Sequence, residues 1–493
     1  MTTINTNIGA LAAKANMTRV ENDLNMAMTR LSTGLRINAA KDDAAGMAIG
    51  EKMTSQIMGL NQAVRNATDG KNLIDTTESA HVEVSSMLQR LRELAVQSAN
   101  DTNTSSDRGS IMAETRQLIA EINRVADTTT FNGMKVLDGS FTGRQFQIGA
   151  DSGQTLGIDI NSAKASDIGS FSIRSSVSVA TAAAAVGDSG ILAANDVTVS
   201  GSLGSRVLDT TAGMSAKALA TAANNVAGAT GVDAAATTKA RLTLAGGGTF
   251  TMNIGNSATE LVSIGAVTVT DVSDLRSLRD AINAVSGRTG ITASMGDTNA
   301  QVVLTDADGD DIGFNNFADV TGTSTLTVTG LRGDGTATTE TTAVDGTNND
   351  TYVTGEVTFF STKAFTATSV AGAADTAFFT AASNTSTLSA VAAIDLSTAS
   401  GANAAIRVLD VAVQRINASR SDLGAISNRL DSTIANLTNI STAVQAAKSN
   451  ITDADFATES TNLARGQILS QASTAMLAQA NASKQNVMTL LRG

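Results

Sequence analysis

Both ends of this chain space their apolar residues in alternating steps of three and four, and no proline interrupts them anywhere in 493 residues. That combination commits the ends to long helices. Average usage would place about 25 prolines in a chain of this length. Their absence leaves every helix unbroken and removes slow X-Pro isomerisation from folding. The stripes are narrow, about two apolar residues in seven, which is a coiled-coil seam and not the wider face of a globular helix. Such seams need partners. The simplest are each other and the same helices of neighbouring copies, so the chain reads as a building block and not as a reactor.

At the N-terminal end, Ile4, Ile8, Leu11 and Ala15 step by 4, 3 and 4, and after a slip Val20, Leu24, Ala27, Leu31 and Leu35 continue the seam. A non-helical break is expected between Gly34 and Gly46. The spacing predicts a second helix from about Ala44 to Ser98. Met53, Ile57, Leu60, Val64 and Ala67 hold one register of it, and Ile74, Thr77, His81, Val84, Leu88, Leu91 and Ala95 resume it. The polar run Asn100 to Asp107 supplies N-caps. A third helix follows with Ile111, Thr115, Leu118, Ile122 and Val125 on one face. Asn132-Gly133 and Asp138-Gly139 then signal hairpins, and Phe146 to Ile148 and Leu156 to Ile160 read as short strands around Asp151-Ser152-Gly153.

The C-terminal side is the most regular. Ile406, Leu409, Val413, Ile416, Arg420, Leu423, Ser427, Leu430, Ile434, Leu437, Ser441 and Val444 alternate without a slip. At about 1.5 Å per residue they span roughly 58 Å. After a break near Ile451 to Asp455, Leu469, Ser473, Met476, Ala480, Ser483, Val487 and Leu490 carry a last seam. The two terminal arms, residues 1 to about 40 and 455 to 493, hold little apolar surface. Isolated helices of that kind are marginal in water. The arms are therefore expected to be largely unfolded in the free monomer and helical on assembly.

The middle, about 165 to 400, is rich in Gly, Thr, Ala and Ser and contains a repeat. Leu219 to Val232 aligns with Leu278 to Ile291, 59 residues on. Each copy follows a Val-Thr-Val strand (Val197 to Val199, Val267 to Val269) and precedes another strand (Arg241 to Leu244, Gln301 to Thr305) and a turn. Two small units of strand, helix, strand and hairpin are expected, about 195–250 and 265–317. From about 321 to 370 the Thr/Val-rich sequence predicts β structure throughout.

Little in the sequence carries chemistry. The net charge of −12, with Lys and Arg scattered, disfavours nucleic acid as a partner. No apolar run approaches the 18 or so residues that a membrane span needs, and the N-terminus has neither the basic nor the apolar region of a Sec-type signal. Without Cys there is no disulfide, thiol nucleophile or thiolate metal site. The single histidine, His81, falls in the apolar register of a helix and cannot make a His-Glu-x-x-His zinc site. Asp306, Asp308, Asp310 and Asp311 have the wrong spacing for an EF-hand loop and read as a solvated turn. Asp42-Asp43 reads as helix-start charge. No catalytic, cofactor-binding or metal-binding residue is assigned. One dense polar strip stands out: Gln89, Arg90, Glu93 and Gln97 lie opposite Leu88, Leu91 and Ala95. It is either a solvated face or a contact surface for the next subunit.

Taken together, these segments resemble the bacterial flagellins. The resemblance rests on Ile4-Asn5-Thr6-Asn7, Leu31 to Asn38, Lys41 to Gly46, Leu88 to Gln97, Phe131-Asn132-Gly133, Leu423-Gly424-Ala425 with Asn428-Arg429-Leu430, and the Leu490-Leu491-Arg492 close. It covers about 1–165 and 400–493, and Leu278 to Ile291 resembles the hook IN motif of that family. The resemblance implies a multidomain α + β fold, in which long antiparallel coiled-coil helices from the two terminal segments carry a β-rich variable central region projecting outward. Residues 1–43 and 455–493 would form the inner coiled-coil layer, with Ile4, Ile8, Leu11, Leu24, Leu31, Leu469, Met476, Val487 and Leu490 on its seam. Residues 44–165 and 400–454 would form a helical bundle with hairpins, and 166–399 the variable outer domains. It also implies a non-enzymatic, extracellular filament subunit that uses no cofactor, with itself as its main partner. Such a subunit would be exported unfolded by the flagellar type III apparatus with a dedicated chaperone and added under a filament cap beyond hook-filament junction proteins. Recognition by Toll-like receptor 5 would use Arg90 and Leu94 of the strip and Glu114 of the next helix. A hook-filament junction protein, with similar termini, is the alternative.

Overall fold

The computed structural model describes residues 6–177, 179, 196–211, 213–256, 261–320, 324–345, 350–369, 378–379 and 382–490. Ile4 of the expected seam lies outside them, as do Leu491 and Arg492, and the side chains of Val487 and Leu490 are likewise not described. The chain begins with helices α1 (Ile8–Thr33), α2 (Ala44–Ala99) and α3 (Ser105–Thr128), followed by two small hairpins, β1 (Thr130–Phe131) with β2 (Met134–Lys135) and β3 (Arg144–Gln147) with β4 (Thr155–Ile158). β5 (Gly169–Arg174) opens the middle. Next come β6 (Val197–Ser200), β7 (Ser205–Leu208), α4 (Ala216–Asn225), α5 (Ala227–Thr230) and β8 (Asp233–Ala245). The same order returns in β9 (Gly248–Gly255), β10 (Val262–Val269), α6 (Arg276–Ala284), α7 (Ser286–Thr289) and β11 (Thr292–Met295). Strands β12 (Val302–Asp306), β13 (Ile312–Asp319), β14 (Thr325–Leu331), β15 (Ala337–Val344), β16 (Thr351–Val353), β17 (Glu356–Ser361), β18 (Thr366–Ser369), β19 (Ser383–Thr385) and β20 (Thr387–Ala390) precede α8 (Ala399–Thr452) and α9 (Phe456–Leu490).

Two compact units emerge. The first gathers Met1–Ile74, Gly143–Ile158 and Gly424–Gly493, and the second Asp75–Thr142 and Asp159–Leu423. In the first, Leu60 and Ala63 of α2 pack with Leu437 of α8, and Lys71 Nζ pairs with Asp431 across the same two helices at 2.7 Å. In the second, α2 buries the expected register: Thr77, His81, Val84, Leu88, Leu91 and Ala95 are all buried. The 54-residue α8 is about 80 Å long, and its expected stripe is buried or half-buried at every position from Ile406 to Val444. α3 starts on a reciprocal capping box between Thr104 and Asp107. The Asn132-Gly133 turn joins β1 to β2 with both residues at positive φ (49° and 78°), as a two-residue hairpin of twisted strands requires. Asp138-Gly139 turns the chain but builds no hairpin. Its flanks Val136, Leu137 and Phe141 are all buried: Val136 N donates to Thr129 O, and the Leu137 and Phe141 carbonyls accept from Ala163 N and Ile160 N.

The middle has two cores within the second unit. One holds Leu219, Ala223, Val357 and Phe359, and the other Leu242, Phe250, Leu278, Ile282, Val302 and Phe314. The 13-residue β8 threads both, with Ala234 in the first and Ala240, Leu242 and Leu244 in the second. It pairs with β17 along its first half and with β12 and β14 along its second. The element order recurs, with equivalences that differ from the sequence expectation. The strand directly before the helix is β7 in the first copy and β10 in the second, so Val197–Val199 lies in the first strand of a hairpin, between β7 and β18. Arg241–Leu244 and Gln301–Thr305 are partners and not equivalents: Val303 pairs with Arg241 in adjacent strands. Periodicity cannot tell two similar β segments that are copies from two that are neighbours. Each copy ends its short second helix on a left-handed glycine, Gly231 (φ 74°) or Gly290 (φ 71°).

Candidate assembly surfaces

In the first unit α1 and α9 pack against one another along their lengths. The contact face of α1 is Ala10, Ala13, Met17, Val20, Leu24, Ala27 and Leu31, buried or half-buried in unbroken steps of 3 and 4. The facing stripe on α9 is Glu459, Leu463, Gly466, Ser470, Ser473, Leu477 and Ala480. Small residues allow close approach: a Cβ on Gly466 would stand 3.1 Å from Leu24 Cδ1, and one on Gly9 would stand 3.8 Å from the Ala480 Cβ. Leu24 and Leu31 therefore lie on the contact face. Four other expected seam residues lie outside it within one chain, with Ile8 64%, Leu11 71%, Leu469 45% and Met476 64% exposed. Each arm thus carries two stripes. The inner one is rich in small residues interspersed with Leu, Val and Met, and the outer one holds apolar side chains left uncovered, Ile468 among them at 67%.

One polar contact interrupts the inner stripe. Arg30 Nη1 donates to Glu459 Oε1 at 3.0 Å, with the Glu459 side chain 9% and the Arg30 side chain 25% exposed. The Arg30 Nε is buried without a hydrogen-bond partner. An open cleft of about 250 Å³ lies beside the pair, lined by Val20, Ala27, Arg30, Glu459, Gly466 and Leu469 among others. Sequence reasoning missed this pair. The signal was Glu459 on the α9 stripe and Arg30 beside Leu31 at the edge of the α1 stripe.

At the base of the arms the backbone forms a short bridge between Leu35 and Asp453. Arg36 N donates to Thr452 O (2.8 Å) and Ala454 N to Gly34 O (2.9 Å). Gly34 makes this turn at φ 71°. Asp43 caps α2 by accepting from Gly46 N at 2.9 Å, which is the helix-start role expected for this acidic pair. Asp42 accepts instead from Ala39 N and Asn38 N, and those backbone donors hold its carboxyl below the usual range.

On α2 in the second unit, Gln89, Arg90, Glu93 and Gln97 are exposed, as is Glu114 on α3. Arg90 gathers two of them. Its Nε and Nη2 donate to Glu114 Oε1 at 3.0 and 2.9 Å, and its Nη1 to Glu93 Oε2 at 2.9 Å. These carboxylates, Glu93 first, hold the guanidinium above its ordinary pKa. Leu94 does not belong to this strip: it is buried, 2% exposed. Met87 and Leu94 form a second buried line beside Val84, Leu88, Leu91 and Ala95, so this part of α2 has a broad buried face where one narrow stripe was read. Val82 and Val96 extend the exposed strip at either end, 47% and 49% exposed.

The remaining titratable groups do not assemble a reactive centre. His81 is 1% exposed, and burial drives its pKa down to about 4 against the pull of Glu78. In the Asp306 to Asp311 turn, Lys217 Nζ sits 3.3 Å from Asp308 and 2.8 Å from Asp310, supplying the positive charge internally. Among the described residues no cluster of three or more His, Cys, Asp or Glu could hold a metal ion, and no helix is long and apolar enough to cross a membrane.

Helical segments from both ends of one chain, paired along a small-residue seam with larger apolar side chains left uncovered, define a self-associating structural protein. Comparison with known proteins gives the family. Residues 4–142 match the bacterial flagellin N-terminal helical region, 406–491 the bacterial flagellin C-terminal helical region, and 249–308 the flagellin hook IN motif. The B-type flagellin of Pseudomonas aeruginosa is 39% identical over 99% of both chains, and a flagellin of Salmonella typhimurium is 36% identical over 99% of both. Flagellin D of Vibrio cholerae is 29% identical, again over 99% of each. The chain belongs to the bacterial flagellin family, whose members are structural subunits of the flagellar filament.

Proposed function

We propose that this chain polymerises into the extracellular flagellar filament through its paired terminal arms. The observation that carries the reading is the outer stripe. Ile8, Leu11, Ile468 and Met476 are each more than 60% exposed on helices too poor in apolar surface to stand alone. Neighbouring copies supply the cover. The same poverty supports arms that are unfolded in dilute monomer and fold on joining the filament, which fits export in an unfolded state by the type III apparatus with a chaperone on the C-terminal arm. Seeded polymerisation of purified full-length protein, viewed by electron microscopy, tests the reading. Long filaments are the expected result, and a persistent monomer with seeds present would remove it.

The middle serves as outward decoration. β5 and β20 pair side by side, with Gly169 opposite Ala390 and Ser172 opposite Thr387, so the chain enters and leaves the middle at one place. Replacing residues 175–386 by a short turn is expected to leave filament yield within about twofold. A loss of filaments, with α2 and α8 still folded, would assign the middle a part in assembly.

Arg90 and Glu114 support recognition of the monomer by Toll-like receptor 5, with Gln89, Glu93 and Gln97 flanking them. Leu94 is inside the fold and contributes no direct contact. Arg90→Ala combined with Glu114→Ala, with unchanged helix content, should lower receptor signalling about tenfold or more; undiminished signalling would remove this surface from the reading. The same strip serves axial contact between subunits.

A further inference from the structure

We infer that the Arg30–Glu459 ion pair sets the register in which the two arms zip together, an inference that rests on the assembly reading above. The inner seam discriminates poorly between registers. Apart from Glu459, the α9 side of it is Gly, Ser, Ala and two Leu, so sliding α9 by a heptad mostly exchanges uncharged small or apolar residues for one another. The Leu35–Asp453 bridge uses only backbone groups, and backbone pairing can re-form between other residues after a slip. The ion pair is different. Among the described residues it alone joins the arms by opposite charges, and Glu459 is almost fully enclosed.

A slip of one heptad in one direction brings Glu459 opposite Asp23, a like charge. A slip in the other direction carries it past the end of α1 at Thr33 and leaves Arg30 facing Gly466. Either way a buried carboxylate loses its partner, which costs far more than an apolar mismatch. A single polar position in an otherwise permissive seam is the best-attested way for helices to fix register. At the far end, Asn7 Nδ2 donates to Ala480 O (3.3 Å) and its Oδ1 caps Ala10 N (3.0 Å). The Ala480 carbonyl is one that any residue would present, and the further bond from Asn7 Nδ2 to Asn481 Oδ1 at 3.4 Å is solvent-exposed, so these contacts fasten the register more than they choose it.

The absence of cysteine from the chain makes the test direct. Residues 9 and 480 stand at the Cβ separation of 3.8 Å that a disulfide requires. Full-length Gly9→Cys/Ala480→Cys, polymerised on seeds and mildly oxidised, should crosslink at least about tenfold faster than the heptad-shifted pair Gly9→Cys/Ser473→Cys. Adding Glu459→Gln should erase most of that preference, and Arg30→Glu should lower filament yield sharply. Combining Arg30→Glu with Glu459→Arg should restore both yield and crosslink preference. A crosslink preference that survives Glu459→Gln, or a charge-swapped double variant no better than Arg30→Glu alone, would overturn the inference. The unsubstituted chain on the same seeds tests polymerisation itself, so failure of the assembly reading is told apart from failure of the register assignment.

Discussion

Acidifying the protein from pH 7 to pH 4 should remove about 3 kcal/mol of stability from the helices around His81, a few pH-units' worth at roughly 1.4 kcal/mol each. The buried imidazole titrates at about 4 in the folded chain, against 6.5 in the open chain. Between those values the unfolded state binds a proton that the folded state refuses. Stability is therefore intact above about pH 6.5, declines as pH falls, and levels off near 4. Burial dominates, Glu78 opposes it, and the Arg420 guanidinium, 2.8 Å from Glu78, reinforces it. His81 Nδ1 is buried without a hydrogen-bond partner, so substitution removes no bond of that atom, and the Glu78–Arg420 pair stays in place. His81→Leu should then match or exceed the parent at pH 7 and melt almost independently of pH between 6.5 and 4. Thermal unfolding followed by circular dichroism decides it, and an unchanged pH slope in His81→Leu would exclude His81 as the source.

The middle should respond with the opposite sign. Burial pushes the Asp311 carboxyl up to about 7. Its folded form therefore binds a proton between about 7 and 3.8 that the unfolded chain does not, and stability there rises as pH falls. Region-resolved amide exchange at pH 5 should show faster opening around His81 in α2 and slower opening in β13. One chain thus contains its own control for a general effect of acid.

How far the sequence announced this structure depends on side-chain size. In α2 and α8 the buried stripe is made of large residues, so spacing alone identified Leu88, Leu91, Leu409, Ile416, Leu430 and Leu437 as interior. In α1 and α9 the same rule selected members of both stripes: Leu24 and Leu31 lie on the contact face among many Ala, Gly and Ser, whereas Ile8, Leu11, Leu469 and Met476 are uncovered. A residue's hydrophobicity says that it wants cover, not whether its own chain or another provides it. Leu94 was misplaced for a related reason. A single-stripe reading of α2 leaves it on the polar side, whereas the helix buries two adjacent lines there. In the middle, a repeat was legible from Asn, Val, Thr and Gly at fixed positions, but the short second helix of each copy and the strand partners were not. Pairing is a long-range choice among segments of nearly equal β propensity.

Removing either of two equivalent asparagines should destabilise its own core by about 3 kcal/mol, since each change strands two buried backbone groups at roughly 1–3 kcal/mol apiece. Asn224 Nδ2 donates to Ala234 O at 2.9 Å, and its Oδ1 accepts from Ala234 N at 2.8 Å. Asn283 makes the same two bonds to Ala293, both 2.8 Å. The reason lies in the sheet. Over residues 233–237 β8 has a strand neighbour on one side only, β17, and β11 has only β12. The outer N–H and C=O of Ala234 and Ala293 would otherwise be buried without partners, and the asparagine side chain, with one donor and one acceptor in a plane, stands in for the missing strand. Asn224→Ala should therefore expose amides around Leu219 and Val232 to exchange, and Asn283→Ala those around Leu278 and Ile291. The melting of α2 and α8 should be unchanged in both. Aspartate should not rescue either site, because it keeps the acceptor but sets a carboxylate against the alanine carbonyl. If one alanine variant were costly and the other silent, the two copies would not share a building rule, and the match of their sequences would reflect ancestry without common mechanics.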